Sequence, residues 1–139
     1  MKRNNKSGFT LLEIIIVIII VGVLASLALP KFFSTVEFSK STEALNNISA
    51  VRDSMERCYL STVSYTSCTD LTKLDVANPT NTPGARFSYA ATTASPTDYT
   101  ITATRLTSDG GKAGDTIVLT QASAAAAARS GTAAFLGIK

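Results

Sequence analysis

The chain has 139 residues, of which 45% are hydrophobic and 17% are charged. The charged fraction lies below the roughly 25% of an average soluble domain, so part of the chain is unusually apolar. The chain contains no His and two Cys, which excludes His-dependent nucleophilic or general-base catalysis, His-ligated metal sites and a four-thiolate zinc site. We therefore expect a protein that is not an enzyme and that binds no metal and no other cofactor.

The positive charge is concentrated at the amino terminus. The formal net charge is +3, and Lys2, Arg3 and Lys6 lie within the first eight residues, which contain no acid. The rest of the chain carries ten basic and ten acidic residues. Binding of nucleic acid depends on a basic surface on the body of a protein, so we expect no direct nucleic-acid partner.

The first predicted element is an apolar helix over residues 9–30. Its length of about 20 residues matches the roughly 30 Å hydrocarbon core of a bilayer. The basic residues before it predict a single membrane pass with a cytoplasmic amino terminus. A cleaved secretory signal is the alternative interpretation, with Ala25, Ser26 and Ala28 as a weak cleavage site.

An amphipathic helix is predicted next, over residues 31–59. Apolar residues recur there at intervals of three and four, while charged and amide side chains occupy the other faces. Gly22 and Pro30 are predicted points of bending, because Pro removes one helical hydrogen bond and clashes with the preceding turn. We expect one long helix whose second half packs on a globular head.

Residues 60–139 are predicted to form this head. Three short segments there are rich in β-branched and aromatic residues, which favours antiparallel strands at 87–92, 99–106 and 116–121. The Ala-rich segment 122–131 is predicted to be a loop or a short helix, and residues 132–138 a last edge strand. The expected fold class is α+β, with a long amino-terminal helix packed on a small antiparallel sheet.

Residues 6–13 read KSGFTLLE. A basic leader ends in Gly8, Phe9 opens the apolar run, and Glu13 is the single acid of that run. This combination resembles the prepilin signature of type IV pilins and of their secretion-system relatives, the pseudopilins. The resemblance implies the type IV pilin fold, removal of the leader (residues 1–8) by a membrane peptidase that cuts between Gly8 and Phe9, and methylation of the new Phe9 amine.

Glu13 lies in the apolar run and needs an explanation of its own. An ionised carboxylate near the bilayer centre costs about 2.5–3.5 kcal/mol on insertion scales. One interpretation is a Glu within reach of the membrane interface that has no partner. The resemblance implies another, in which Glu13 pairs with the Phe9 ammonium of a neighbouring subunit and sets the axial register of one subunit on the next.

Cys58 and Cys68 lie ten residues apart. The predicted topology places them in an oxidising compartment, where a disulfide is favoured over two free thiols. Many pilins close a carboxy-terminal loop with their disulfide, but this chain has no Cys after Cys68. Asp109 and Asp115 flank a Gly-rich segment that lacks a regular run of oxygen ligands, so a solvated turn is favoured over a calcium loop like that of the major pseudopilin.

The resemblance implies a function in a filament. We expect a structural subunit of a type IV pilus, inserted in the inner membrane after leader removal and polymerised through its amino-terminal helix into an extracellular filament for adhesion, motility or DNA uptake. The expected partners are other copies of the chain, the prepilin peptidase and N-methyltransferase, an inner-membrane assembly platform, minor pilins and, before assembly, the lipid bilayer. A pseudopilin of a type II secretion system and a minor pilin acting as an adhesin or DNA-binding module are the alternatives.

Overall fold

The computed structural model describes residues 8–122 and 126–138. One helix, α1, spans Leu11–Thr62, and the chain divides into two compact units between Thr35 and Val36. The sequence places this boundary after Pro30. α1 continues as α-helix through Gly22 and Pro30, and bending at these two residues stays a prediction.

In the first unit, the apolar side chains of α1 are exposed. Every described residue from Gly8 to Thr35 is exposed except Ala25, which is half-buried. α1 contains a stretch with a mean hydropathy of 3.0, apolar and long enough to cross a membrane. Exposure of an apolar surface of this extent to water is unfavourable, so we expect lipid or another apolar surface to cover it.

The second unit contains a four-stranded antiparallel sheet. Its strands are β1 (Phe87–Ser95), β2 (Asp98–Arg105), β3 (Thr116–Gln121) and β4 (Ala128–Gly131), and they lie in the order β1-β2-β3-β4. The three strands predicted from residue patterns are confirmed. Buried and half-buried residues alternate along the whole of β2, as expected for a strand with one wet face.

The second half of α1 and one face of the sheet share a single apolar core. Helical residues spaced by three and four line this side of α1, namely Ala44, Ile48, Val51 and Met55. They join strand residues of the same cluster, which are Phe87, Tyr89, Tyr99, Ile101, Ala103, Ile117 and Leu119. The predicted amphipathic helix and the predicted α+β fold are therefore confirmed.

The end of the chain differs from the prediction. β4 lies within the segment predicted to be a loop or short helix, and it pairs with β3 from Ile117↔Gly131 to Thr120↔Ala128. The segment 132–138, predicted to be the edge strand, contains a 3-10 turn over Ala133–Phe135 that buries Phe135. Pairing with β3 outweighs the local helical preference of Ala. Residues 123–125 of the predicted segment lie outside the described residues.

α1 ends in a strained turn beside the disulfide. Val63 adopts a φ of 56°, and its N–H donates to the Tyr59 carbonyl oxygen at 2.7 Å, which is the geometry of a left-handed helix cap. A β-branched residue is rare in this conformation. The predicted pairing of Cys58 with Cys68 is present as a disulfide with a Cα–Cα distance of 6.0 Å, and it ties the last turns of α1 to the segment that follows Val63.

Candidate assembly site

Thr10 and Glu13 form a reciprocal cap at the start of α1. The Thr10 N–H and hydroxyl donate to Glu13 Oε2 at 2.8 and 2.9 Å. The Glu13 N–H donates to Thr10 Oγ1 at 3.2 Å. This arrangement is a capping box, in which two backbone N–H groups that have no partner within the helix are satisfied by side chains.

The capping box changes the interpretation of Glu13. The carboxylate has a partner within its own chain, so the interpretation of an unpartnered Glu is wrong. Thr10 was missed as a site residue, although the spacing T-x-x-E before an apolar run is a recognised helix-start signal. Pairing of Glu13 with the Phe9 ammonium of a neighbour stays a prediction.

Gly8 and Phe9, the two residues of the predicted cleavage site, precede this cap. Both are exposed, and Phe9 retains 83% of its accessible surface. A Cβ built on Gly8 meets no described atom within 4 Å, so no contact among residues 8–122 and 126–138 requires Gly at this position. The need for Gly8 would then arise in a processing enzyme, and cleavage and methylation stay predictions.

The apolar part of α1 is exposed on all its faces. Consecutive side chains from Ile14 to Val21 retain between 39% and 60% of their accessible surface. A helix that is apolar all round belongs in a membrane or inside a bundle of other helices. The first unit therefore presents a polar cap, one carboxylate and a continuous apolar surface, which is suited to insertion and to helix–helix packing.

In the head, the guanidinium of Arg105 links the loop between β2 and β3 to α1. Arg105 is 1% exposed and lies over the ring of Phe87 at 5.5 Å. Its Nε donates to Glu37 Oε2 of α1 at 3.1 Å, and this contact is the main cause that lowers the pKa of Glu37. A further guanidinium nitrogen, Nη2, donates to Asp109 Oδ1 in the loop. A Cβ on Gly111 would lie 2.3 Å from the same nitrogen, so the loop can close over Arg105 because position 111 has no side chain.

Asp109 is held by three basic residues. Besides Arg105, its carboxylate contacts Lys40 Nζ at 2.9 Å and Arg86 Nε at 3.1 Å. Burial alone would raise the pKa of Asp109, but hydrogen bonds from Lys40 and Arg105 outweigh it and hold the pKa below its usual range. Asp115 is buried and accepts a hydrogen bond from the Ala134 N–H. Asp109 thus holds the loop, whereas Asp115 ties the start of β3 to the segment after β4. No group of three metal-ligating side chains occurs in the described part of the chain.

Most described basic side chains of the second unit, which comprises the head and the part of α1 packed on it, are neutralised by acids. Six of them form ion pairs: Lys40, Arg52, Arg57, Lys73, Arg86 and Arg105. Lys112 and Arg129 are exposed and form no ion pair among the described residues. Within those residues, the head presents a surface of mixed charge without a basic stripe.

Two known families match the chain. The prokaryotic N-terminal methylation motif matches residues 3–29, and the family described as type IV minor pilin ComP, DNA uptake sequence receptor, matches residues 30–116. The chain belongs to the type IV minor pilin ComP family. The resemblance to type IV pilins and pseudopilins, which rested on KSGFTLLE and the apolar run, is confirmed by both matches.

Curated relatives of this ComP-family chain include pseudopilins and a fimbrial protein. It is 35% identical over 83 residues to the type II secretion system core protein G of Pseudomonas aeruginosa, covering 60% of the chain and 58% of that protein. The Aeromonas hydrophila protein of the same name is 33% identical over 86 residues, 62% of the chain and 60% of that protein. The type IV major fimbrial protein FimA of Dichelobacter nodosus is 31% identical over 58 residues, 42% of the chain and 37% of that protein. The chain thus spans about three fifths of the length of the two secretion proteins.

Proposed function

We propose that this ComP-family chain is a structural, non-catalytic subunit of a type IV pilus. Its leader is removed after Gly8, the mature chain resides in the inner membrane with its amino terminus on the cytoplasmic side, and its helix then polymerises into a surface filament. The proposal rests on one observation, the difference in burial between the head and the apolar part of α1. The head buries its own core, whereas every residue of the capped apolar part of α1 except Ala25 is exposed.

When α1 moves from the lipid bilayer into a filament, Glu13 is suited to direct how subunits associate. Lipid tails are as apolar as neighbouring helices, so moving α1 from the bilayer into a filament gains little hydrophobic free energy. Packing and polar contacts must therefore determine how subunits associate. Glu13 is the only acid of the apolar run, and the Phe9 ammonium created by cleavage is a partner of opposite charge.

The proposed partners follow from this cycle. A prepilin peptidase and N-methyltransferase acts at Gly8 and Phe9, and the lipid bilayer surrounds α1 before assembly. An inner-membrane platform delivers the subunit to the filament, where other copies and other pilins bind it. Each of these assignments is supported by the methylation motif over residues 3–29 and by the exposed apolar helix.

Processing provides the direct experiment. Gly8→Val places a β-branched side chain at the cleavage position, and we expect the variant to keep its leader and remain in the inner membrane. Gly22→Val is the matched control, because a Cβ at Gly22 also meets no atom within 4 Å, and it should be processed. Amino-terminal sequencing of wild-type filaments should begin at N-methyl-Phe9. Filaments that begin at Met1 or after Ala28 would contradict the proposal.

A DNA-binding minor pilin is the second candidate, favoured by the description of the family that matches residues 30–116. The exposed cations Lys112 and Arg129 would then contact phosphates, because the other described cations of the head are neutralised by ion pairs. The test is binding of a DNA duplex to the full chain in nanodiscs. Lys112→Gln with Arg129→Gln should weaken binding and reduce its salt dependence, whereas Lys73→Gln should not. Absence of binding by the wild type would reject this candidate.

A type II secretion pseudopilin is the third candidate, because several relatives are named type II secretion system core protein G. Deletion of the gene in its native host separates it from the first candidate. Loss of surface filaments with normal protein secretion supports a pilus subunit. Loss of secretion with normal filaments supports a pseudopilin.

A further inference from the structure

Lys31 carries an unpaired charge at the end of the apolar part of α1. It is the only charged residue between Glu13 and Glu37. The Glu13 carboxylate accepts hydrogen bonds from Thr10, and the Glu37 carboxylate is paired with Arg105. The Lys31 side chain is exposed, and its ammonium has no partner within the part of the chain that the structure describes.

Lys31 lies about one membrane thickness along α1 from the capped start of the helix. α1 begins at Leu11, and the rise from Leu11 to Lys31 is about 30 Å at 1.5 Å per residue. The hydrocarbon core of a bilayer is also about 30 Å thick. When the cap formed by Thr10 and Glu13 lies at the cytoplasmic surface of this core, Lys31 lies at the level of the periplasmic headgroups.

The surface of α1 changes from apolar to polar within one turn of Lys31. Phe32 and Phe33 are 61% and 62% exposed, and their rings lie edge-on with centroids 6.0 Å apart. The hydroxyls of the next two residues, Ser34 and Thr35, donate to the Lys31 carbonyl oxygen at 2.9 Å. A cation followed by aromatic rings and hydroxyls is suited to the end of a membrane span, where side chains lie between lipid tails and water.

We propose that the Lys31 ammonium binds the phosphate of an acidic phospholipid in the periplasmic leaflet and thereby fixes the depth of α1 in the membrane before assembly. This inference rests on the proposed residence of the mature chain in the inner membrane. The ammonium has three N–H donors for phosphate oxygens, and its four-carbon stem covers apolar surface while the charge reaches the headgroups. Movement of α1 towards the cytoplasm would draw Lys31 into the hydrocarbon core, and movement the other way would draw Glu13 deeper, so the two charges oppose displacement in opposite directions.

An acidic headgroup fits Lys31 better than a zwitterionic one. The phosphate of phosphatidylglycerol has no cation on the same molecule, whereas the choline group of phosphatidylcholine compensates the charge of its phosphate. A single Lys close to an acidic membrane surface gains about fivefold in affinity. Salt screens this gain.

A second copy of the chain fits Lys31 less well than a lipid does. All ten acids of the chain already accept hydrogen bonds from donors or cations of their own chain. A neighbouring copy therefore offers no unpartnered side-chain carboxylate, whereas phospholipid phosphates lie around every helix end at a membrane surface.

A single Trp placed beside Lys31 reports both lipid binding and depth. The chain contains no Trp, and Leu27 is 74% exposed and lies one turn before Lys31 on the same side of the helix. The full chain with Leu27→Trp is placed in vesicles of equal parts phosphatidylglycerol and phosphatidylcholine, one of which is brominated so that it quenches Trp fluorescence on contact. We expect phosphatidylglycerol to be preferred about fivefold, and high salt to reduce this preference.

Substitution of Lys31 in the Leu27→Trp chain tests the assignment. Lys31→Gln should abolish the preference, so that both brominated lipids quench equally, whereas Lys31→Arg should retain it. In Lys31→Gln the reporter should also move towards the bilayer centre, measured as stronger quenching by lipids brominated near the ends of their acyl chains. Lys112→Gln is the matched control, because Lys112 is an exposed head cation that also forms no ion pair among the described residues, and it should leave both measurements unchanged.

Flotation with the vesicles separates this inference from the proposed function. Wild-type chain that floats with neither lipid contradicts membrane residence, and with it the binding of lipid by Lys31. Wild-type chain that floats but shows no preference for phosphatidylglycerol, or a preference that persists in Lys31→Gln, overturns this inference alone. Loss of filaments in Lys31→Gln cells, with no lipid preference in the wild type, would assign Lys31 to contact between subunits instead.

Discussion

Glu13 has two successive roles if the proposed assembly is correct. In the single chain, its carboxylate accepts hydrogen bonds from the N–H and hydroxyl of Thr10. These contacts reduce the cost of holding a carboxylate in the apolar run. In the filament, the Phe9 ammonium of a neighbour would supply a full positive charge, which Thr10 cannot.

Substitution of Glu13 distinguishes capping from charge pairing. Glu13→Gln retains an oxygen that can accept from the Thr10 N–H but cannot neutralise an ammonium, whereas Glu13→Val removes both functions. We expect both variants to be cleaved after Gly8 and to accumulate in the membrane, with few filaments in sheared fractions. Normal filament yield from Glu13→Gln but not from Glu13→Val would assign the residue to capping alone. Normal yield from Glu13→Val would remove any role in register.

At the scale of elements, the end of α1 combines a strained residue with a covalent link. Val63 carries the left-handed conformation that terminates the helix, and its side chain is 73% exposed. The left-handed conformation of Val63 therefore costs free energy, and burial of its side chain does not offset this cost. The disulfide between Cys58 and Cys68 encloses this turn and limits the alternative conformations of the segment when it unfolds.

Replacement of Val63 should stabilise the head. Val63→Gly removes the steric penalty of the left-handed region, which is about 1–2 kcal/mol for an L residue, and the greater freedom of Gly in the unfolded chain offsets part of the gain. We expect a net increase of about 1 kcal/mol in the free energy of unfolding, the difference between these two effects, measured by denaturant titration. Val63→Ala is the control, because it shortens the side chain but retains the penalty. Equal effects of Gly and Ala would show that the backbone is not strained.

At the scale of the whole molecule, carboxylates join segments that are far apart in the sequence. Asp75 accepts hydrogen bonds from Nε and Nη2 of Arg57 at 2.6 and 2.8 Å and from the Ser54 hydroxyl. It thereby holds the irregular segment before β1 against α1. Hydrogen bonds from Arg57 and then from Ser54 lower the pKa of Asp75 to about 2.

This pKa predicts how stability depends on pH. The pKa of Asp75 in the folded chain lies below its usual value of 3.8, so its contribution to stability is complete above about pH 4 and is lost as the pH falls to about 2. Asp75→Asn should lower the melting temperature at pH 6, and its difference from the wild type should shrink between pH 4 and pH 2. A difference in melting temperature between Asp75→Asn and the wild type that stays constant from pH 4 to pH 2 would contradict the lowered pKa of Asp75.

The sequence alone determined the features that depend on local pattern. The apolar run over residues 9–30, the spacing of Ala44, Ile48 and Val51, and the alternation in β2 are each visible within one element, because a single helix or strand imposes its own period. The Thr10–Glu13 cap was equally local and was missed only because the capping signal was not sought. The disulfide followed from two cysteines and an inferred compartment.

Tertiary structure alone decided the features that depend on distant partners. β4 forms because β3 offers it an edge, although the Ala-rich sequence that leads into β4 locally favours helix. Arg105 is buried because Glu37, 68 residues away, and Asp109 neutralise it, and no local pattern shows that pairing. Thr and Ser residues of the four strands likewise lie side by side on the face away from α1 only once the register is set, since register depends on pairing between strands and on the burial of the opposite face.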